Sequence, residues 1–243
     1  MVIPVGDDNP TRRTAWVTLL LVAANIGIFV LFEPWSAGRC AQESFFLQWA
    51  TIPRELAQGE PLDTSQIAAT TDCPLQPFLS KNVYLAVFSS MFLHASWIHL
   101  LGNMLYLWIF GNNIEDMFGH MRFLGFYLLS GLVSVFVFAV ANLGSLSTLV
   151  GASGAIAGVL GAYLVLFPRA RVTSLVPFLF FIPVDLPAVL VLGLWFVLQL
   201  SAVTQATSMA GGGVAYLAHV AGFIFGVLVT LASREPAQVG RYR

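Results

Sequence analysis

The sequence predicts an all-α polytopic membrane protein, a bundle of six transmembrane helices with a long extracytoplasmic first loop. Its 243 residues are 58% hydrophobic and only 9% charged, whereas about a quarter of the residues in a soluble domain are charged. Apolar runs long enough to cross a bilayer as helices recur along the chain. These runs are continuously apolar rather than alternating, which disfavours a transmembrane barrel.

The charge balance limits the partners of the chain. Its formal net charge is −1, so there is no basic excess to neutralise phosphates, and nucleic acid is excluded as a partner. We expect membrane lipid to surround the protein. No cofactor and no metal are expected.

A membrane domain of residues 14–232 is predicted between two short cytoplasmic tails, residues 1–13 and 233–243. Its six spans are placed at 14–34, 92–112, 121–141, 149–167, 187–204 and 214–232. For the first span a cleavable signal peptide is the alternative. The apolar core of such a peptide is about 7–15 residues long and this one is about 18, so we favour a retained helix.

The extracytoplasmic loop is predicted to cover residues 35–91, and its first part is the only long polar segment of the chain. A loop of this length is more often functional than a passive linker. It carries Cys40 and Cys73, which could pair in an oxidising compartment, although two cysteines in one loop do not establish a disulfide. Further on, the apolar segment 174–186 is broken by prolines, so we expect it to lie along the membrane interface.

The basic residues orient the predicted spans. Eight arginines fall on one side and three basic residues on the other, which by the positive-inside rule places both termini in the cytoplasm. The two sets are Arg12, Arg13, Arg122, Arg169, Arg171, Arg234, Arg241 and Arg243 inside, and Arg39, Arg54 and Lys81 outside. The N-terminus is short and acidic, unlike an organelle presequence. We therefore expect the bacterial inner membrane.

Several polar residues lie in apolar segments, where ionisable groups are costly and are functional candidates by default. His99 and Asn103 are four residues apart and share one face of the second span. Ser153 lies roughly 6 Å from the outer end of the fourth span and His219 roughly 8 Å from that of the sixth. These positions from three helices therefore share one depth. His120, in a cytoplasmic turn, is expected to be a solvated surface group.

Small residues on two spans predict that these helices approach closely. Such an approach would bring the Ser153 hydroxyl to the His219 imidazole. Taken singly, the glycines are packing devices and a helical serine bonds to a carbonyl of its own helix. Taken together, they favour a nucleophile and its general base. The glycines are Gly154, Gly158 and Gly161 on the fourth span and Gly222 and Gly226 on the sixth.

The same depth offers donors for an oxyanion. The side chains of His99 and Asn103 and the backbone N–H of Ser153 could stabilise a tetrahedral intermediate. No carboxylate lies between Asp116 and Asp185. We therefore predict a Ser–His dyad without an acidic third member.

Four motifs in order resemble the rhomboid family of intramembrane serine proteases, over about residues 92–226. They are HASWIHLLGN at 94–103, an ExxxGxxRF-like segment within 112–131, GASG at 151–154 and AHVAGFIFG at 218–226. The resemblance implies the basic six-helix form and a serine endopeptidase that cleaves transmembrane protein substrates near the outer face of the bilayer. It implies Ser153 as nucleophile, His219 as general base, and His99, Asn103 and the Ser153 amide as the oxyanion hole.

The resemblance also implies supporting roles. Gly151 would shape the loop before the nucleophile, and His94 would support the outer loop and the site. The glycines Gly154 and Gly222 would support the packing around it. The fifth span and the loop 205–213 correspond to the family's substrate gate and cap.

One position departs from the pattern of some members, which carry an aromatic residue one turn after the nucleophile that stacks on the catalytic histidine. Here that position is Ala157, so another side chain must orient His219. The small residues around Ser153 also predict a small substrate residue on the amino side of the cut bond.

Two other functions stay open. An inactive relative could bind membrane clients without cutting them, although the intact Ser153 and His219 argue against it. A transporter or metal-binding protein could use His94, His99 and His219. His94 and His99, five residues apart, would diverge by about 140° on a straight helix, which disfavours a three-histidine metal site.

Overall fold

The apolar segments of the sequence form helices in the computed structural model, which describes residues 3–176, 181–206 and 215–233. The helices at the six predicted spans are α1 (Trp16–Leu31), α6 (Trp97–Phe118), α7 (His120–Ala141), α8 (Ser153–Leu166), α9 (Ala188–Ala206) and α10 (Tyr216–Ser233). The second helix begins and ends later than predicted. The fifth begins directly after Pro187, as expected from the ring that excludes proline from a helix interior.

By length and composition, two of these helices can cross a membrane, α7 and α10. A third span results if the short helices at Leu85–Phe92 are joined to α6 across a bend of 88°. The other three apolar helices are shorter, at 10–17 residues in their described parts. The six-span count therefore stays a prediction, while the mostly helical architecture is as expected.

Helix α8 lies at the centre of the bundle, and all of its residues from Gly154 to Tyr163 are buried. Its closest neighbour is α10. A Cβ at Gly222 would overlap the Gly154 carbonyl group, and one at Gly226 would overlap the backbone of Gly158. The predicted close approach is therefore present, with backbone against backbone as in small-residue helix interfaces.

The polar segment after α1 contains four short helices and a 3₁₀ turn rather than an irregular loop. These are α2 (Arg39–Trp49), α3 (Pro53–Gln58), α4 (Thr64–Ala68), α5 (Leu85–Ser89) and the turn Ser90–Phe92. A disulfide joins Cys40 to Cys73. The buried Lys81 ammonium forms an ion pair of 2.5 Å with Glu55 Oε2 and donates to two carbonyl oxygens at the end of α2. Side-chain contacts therefore order this segment over a small apolar core of its own.

Two segments that were predicted to be a polar tail and an interfacial stretch form a three-stranded antiparallel sheet. Its strands are β1 (Ile3–Asp7), β2 (Arg171–Val176) and β3 (Ile182–Pro187), in the order β1-β2-β3. The central strand alternates exposed or half-buried residues with buried ones, which is the pattern of a half-buried strand. The prolines of β3 fit an edge strand, since proline cannot donate to the ladder. Pro177 lies outside the described residues.

Polar contacts fasten the sheet to the ends of α6 and α8. Asp7 Oδ2 accepts hydrogen bonds from Tyr163 Oη at 2.6 Å and from Asn113 Nδ2 at 2.9 Å. Burial raises the pKa of the Asp7 carboxyl above its ordinary value. Ser153 begins α8 ten residues before Tyr163, so this polar cluster lies about 15 Å along the helix from the serine.

His120 does more than the solvated surface group that was predicted. Its side chain is half-buried, and Nδ1 lies 2.5 Å from Oε1 of the buried Glu115. The same carboxylate accepts the backbone N–H groups of Val17 and Thr18 at the start of α1. The sequence placed His120 beside Glu115 but could not show that the start of α1 is held by this carboxylate. The last arginines of the chain, from residue 234 onwards, lie outside the described residues.

Candidate active site

Ser153 is the first residue of α8, one turn nearer the helix start than the predicted span 149–167 implied. The chain before it is extended: Leu149 pairs with Thr51 in an isolated bridge, and the Gly151 N–H donates to the Ser90 carbonyl oxygen at 2.8 Å. Gly151 has a φ of +122°, which side-chain-bearing residues rarely adopt. The helix therefore cannot begin earlier, and the serine lies where backbone N–H groups have no intrahelical acceptor.

The side chains of Ser153 and His219 form a hydrogen bond. Ser153 Oγ lies 2.7 Å from His219 Nε2, within the range expected of a nucleophile and its general base. The serine does not bond to a carbonyl of its own helix, which was the packing interpretation. His219 is the fourth residue of α10, so the α8–α10 glycine interface aligns the starts of both helices.

His99 packs against the loop that leads to the serine. A Cβ at Gly151 would lie 2.7 Å from His99 Cε1 and 2.8 Å from Nε2, so this position requires glycine both for its φ and for its space. Asn103 Nδ2 donates to the His99 carbonyl oxygen at 2.9 Å. The amide keeps a second hydrogen for another acceptor.

The residues predicted for the dyad and the oxyanion hole converge on one cavity of about 600 Å³. His99, Asn103, Ser153 and His219 all line it, and the rest of its wall is mainly apolar. A cleft with few convergent polar groups is the usual form of a site that binds and transforms a ligand. The shared depth predicted from the sequence therefore corresponds to a shared cavity.

The position of His94 relative to His99 differs from the one expected on a straight helix. It precedes α6, which begins after Ser96 caps the helix by accepting the His99 N–H, so the straight-helix divergence of about 140° does not apply. The rings of His94 and His99 are instead 5.1 Å apart, edge to face. His94 is 1% exposed, and its backbone N–H donates to Glu33 Oε1 at 2.9 Å.

No three His, Cys, Asp or Glu side chains are arranged to hold a metal ion within 3–176, 181–206 and 215–233. The predicted cap loop 205–213 has only its first two residues, the end of α9, in this part of the chain. The fifth helix itself, α9, lies beside α10 and contributes to the cavity wall.

Sequence reasoning missed Gln199. Its Oε1 lies 2.8 Å from His219 Nδ1, and its side chain lines the same cavity. The signal that could have found it is a lone amide within the apolar fifth span, where a polar side chain needs a partner. Ala157, the position without the aromatic, is fully buried nearby in α8.

Comparisons with known proteins agree with the motifs. The Rhomboid domain family model matches residues 81–235. The chain is similar to Rhomboid protein 1, mitochondrial, of Saccharomyces cerevisiae, with 35% identity over 150 residues, 59% of this chain and 40% of the relative. It is also similar to two Arabidopsis thaliana proteins. RHOMBOID-like protein 6, mitochondrial, is 29% identical over 192 residues, which cover 72% of this chain and 61% of the relative. RHOMBOID-like protein 5 is 38% identical over 162 residues, which cover 64% of this chain and 52% of the relative.

The chain thus spans 40% to 61% of the length of these relatives. Two of their names place those proteins in mitochondria. The comparisons therefore lend no support to the bacterial inner membrane, and that location stays a prediction.

Proposed function

The chain belongs to the rhomboid family, and from this premise we propose that it is an intramembrane serine endopeptidase with a Ser–His dyad. Its substrates are single-span membrane proteins, cut near the outer face of the bilayer. The observation that carries the proposal is the 2.7 Å contact between Ser153 Oγ and His219 Nε2. This pairing is what nucleophilic catalysis by a serine requires.

In the first half of the reaction, Ser153 Oγ attacks the scissile carbonyl carbon as its proton passes to His219 Nε2. The carbonyl oxygen becomes an oxyanion. His219 then gives the proton to the leaving amine, the C–N bond breaks, and an acyl-enzyme remains. In the second half, His219 removes a proton from water, which attacks the ester and releases the new carboxyl group, and Ser153 recovers its proton.

The start of α8 suits the oxyanion. The Ser153 N–H is one of the helix's first N–H groups, which lack intrahelical acceptors, and the helix dipole adds a partial positive charge there. His99, against Gly151, and Asn103, with a free amide hydrogen, line the same cavity. Donors placed in advance around a developing charge are commonly the largest catalytic contribution.

We propose that the six apolar helices span the membrane with both termini in the cytoplasm. Residues 1–13 and 233–243 are then cytoplasmic tails of the domain 14–232, and the disulfide-bearing segment within 35–91 lies outside. The pairing of β1 with β2 supports this, because it places the N-terminal tail at the end of α8 remote from Ser153. The bacterial inner membrane is the location proposed.

The substrate helix is proposed to reach the cavity beside α9, in contact with lipid. Small residues around Ser153 favour a small substrate residue on the amino side of the cut bond. A substrate with phenylalanine at that position that is cut as fast as one with alanine would contradict this preference.

A serine-directed fluorophosphonate probe tests the activity. Wild-type protein in detergent should be labelled, and Ser153→Ala should not. An unlabelled but folded wild type would contradict the protease proposal and favour an inactive relative that binds membrane clients. Chelation should leave the labelling unchanged; if it abolishes cleavage while Ser153→Ala still cuts, a metal-dependent activity replaces the dyad.

A further inference from the structure

His219 is held at both of its ring nitrogens. Nε2 faces Ser153 Oγ at 2.7 Å, and Nδ1 faces Gln199 Oε1 at 2.8 Å. The first contact comes from α8 and the second from α9. The dyad by itself accounts for the first contact only.

Gln199 is turned inward on a helix whose neighbouring positions face outward. Its exposed fraction is 9%, against 39% for Leu198 and 47% for Leu200. Removing an amide from water without a hydrogen bond is costly. The contact with Nδ1 therefore accounts for a glutamine that an apolar span would otherwise not favour.

The catalytic role of His219 defines which nitrogen carries the hydrogen. To accept the Ser153 proton, Nε2 must be unprotonated, so the single hydrogen of the neutral imidazole lies on Nδ1. Nδ1–H then needs an acceptor, and Gln199 Oε1 is one. When Nε2 takes up the serine proton, the same oxygen keeps its hydrogen bond to the charged ring, so no rearrangement is required.

Within residues 3–176, 181–206 and 215–233, Ser153 and Gln199 are the two side chains that form hydrogen bonds with the imidazole. Ala157 has no polar atom. The Trp195 ring centroid lies 6.1 Å from that of His219, and its indole nitrogen can only donate. The Tyr216 ring meets the imidazole at right angles at 6.5 Å. These rings limit the space around the imidazole without selecting its tautomer.

We propose that Gln199 is the positioning residue that fixes the orientation and tautomer of His219. It takes over the role of the aromatic residue that some family members carry at the position of Ala157. The inference rests on the proposed function, since an orientation of His219 matters for catalysis only if His219 is the base. It also links α9 to the chemistry. A displacement of this helix would remove the acceptor from Nδ1 without touching Ser153.

Two near-isosteric substitutions separate positioning from packing. Gln199→Leu keeps the volume and removes the acceptor, whereas Gln199→Glu keeps an acceptor oxygen. Cleavage of a model transmembrane substrate should lose roughly 10²-fold in kcat in Gln199→Leu, with KM unchanged, the scale of a positioned acid–base group. Gln199→Glu should recover most of that loss. Leu20→Ala, at an exposed position of α1, a helix that contributes no residue to the cavity wall, is the control and should cut like the wild type.

The outcomes are distinct. Thermal unfolding of each variant in detergent identifies any variant that fails to fold. If Gln199→Leu does not fold, the cleavage rate of Gln199→Glu and its imidazole ¹⁵N spectrum, which reports the tautomer, test the proposal instead. A wild type that does not cut overturns both the proposed function and this inference. A wild type that cuts, with a folded Gln199→Leu equally fast or Gln199→Glu as slow as Gln199→Leu, overturns the inference alone.

Discussion

The Ser134 hydroxyl of α7 donates a hydrogen bond to the carbonyl oxygen of Ala218, the residue before His219. The hydroxyl occupies the space that Gly154 leaves open, because a Cβ at Gly154 would overlap the Ser134 side chain. Three helices therefore meet beside the dyad. The hydrogen bond from α7 to α10 lies beside Gly154, where α8 has no side chain, and it helps to hold His219 next to Ser153.

Removing the hydrogen bond between Ser134 and Ala218 should lower the free energy of unfolding by about 1 kcal/mol, the net value of one hydrogen bond. Ser134→Ala should lower the thermal unfolding midpoint slightly and reduce cleavage modestly. Gly154→Ala should be worse, because the added methyl group meets the Ser134 side chain. The combined variant should lose less than the sum of the two single losses. If the two changes in unfolding midpoint simply add, Ser134 and Gly154 do not compete for the same space.

The α8–α10 interface predicts opposite signs for two glycine substitutions. Gly226→Ala should destabilise the protein by about 1–3 kcal/mol, the cost of overpacking, because its Cβ would overlap the backbone of Gly158. The Cβ of Gly193→Ala in α9 meets no atom of the described residues within 4 Å, so this substitution should stabilise the protein by about 0.4–1 kcal/mol. Denaturation in mixed micelles measures both. A neutral Gly226→Ala would show that the helices do not touch there.

Asn103 is a proposed oxyanion donor. Asn103→Ala should therefore lower kcat by about 10²–10³-fold, the usual loss for one such donor. Labelling by a fluorophosphonate should slow as well, while Ser153 and His219 keep their contact. Leu101→Ala, an exposed position of the same helix, is the control. Full activity of Asn103→Ala would remove Asn103 from the oxyanion hole.

The buried Asp7 predicts a pH dependence of stability that is unrelated to catalysis. Burial raises its pKa in the folded state above the ordinary 3.8, so the folded protein holds this proton more tightly than the unfolded chain. The stability it contributes is present below the unfolded value and is lost as the pH rises through the folded pKa. Asp7→Asn should reduce this loss.

Thermal unfolding midpoints from about pH 4 to about pH 7 measure this difference between wild type and Asp7→Asn. Glu60→Gln, which alters an exposed carboxylate, should leave the wild-type slope unchanged. If Asp7→Asn has the wild-type slope, the carboxyl is not buried against Tyr163 and Asn113.

The sequence was sufficient for the six long apolar helices and for most of the side chains that line the candidate cavity. Helical periodicity put His99 and Asn103 on one face, and the limits of the apolar runs put Ser153 and His219 near the starts of their helices, because both depend on local geometry. The glycine pattern predicted the α8–α10 contact for the same reason.

The remainder depends on tertiary contacts. The 88° bend between the short helices at Leu85–Phe92 and α6 brings His94 to His99, and no local sequence pattern predicts a bend of this size. The N-terminal tail forms a strand only because β2 lies beside it. Gln199 reaches His219 from a different helix, so the predicted need for an orienting group could not identify which residue meets it.

The Ser153–His219 dyad is best tested by cleavage of a model single-span substrate in liposomes, with the mass of the products measured. Wild type should cut at one bond within the outer part of the span. Ser153→Ala and His219→Ala, both folded, should yield no product. Cleavage by Ser153→Ala at the wild-type rate, or an uncut substrate with folded wild type, would show that the dyad does not perform this reaction.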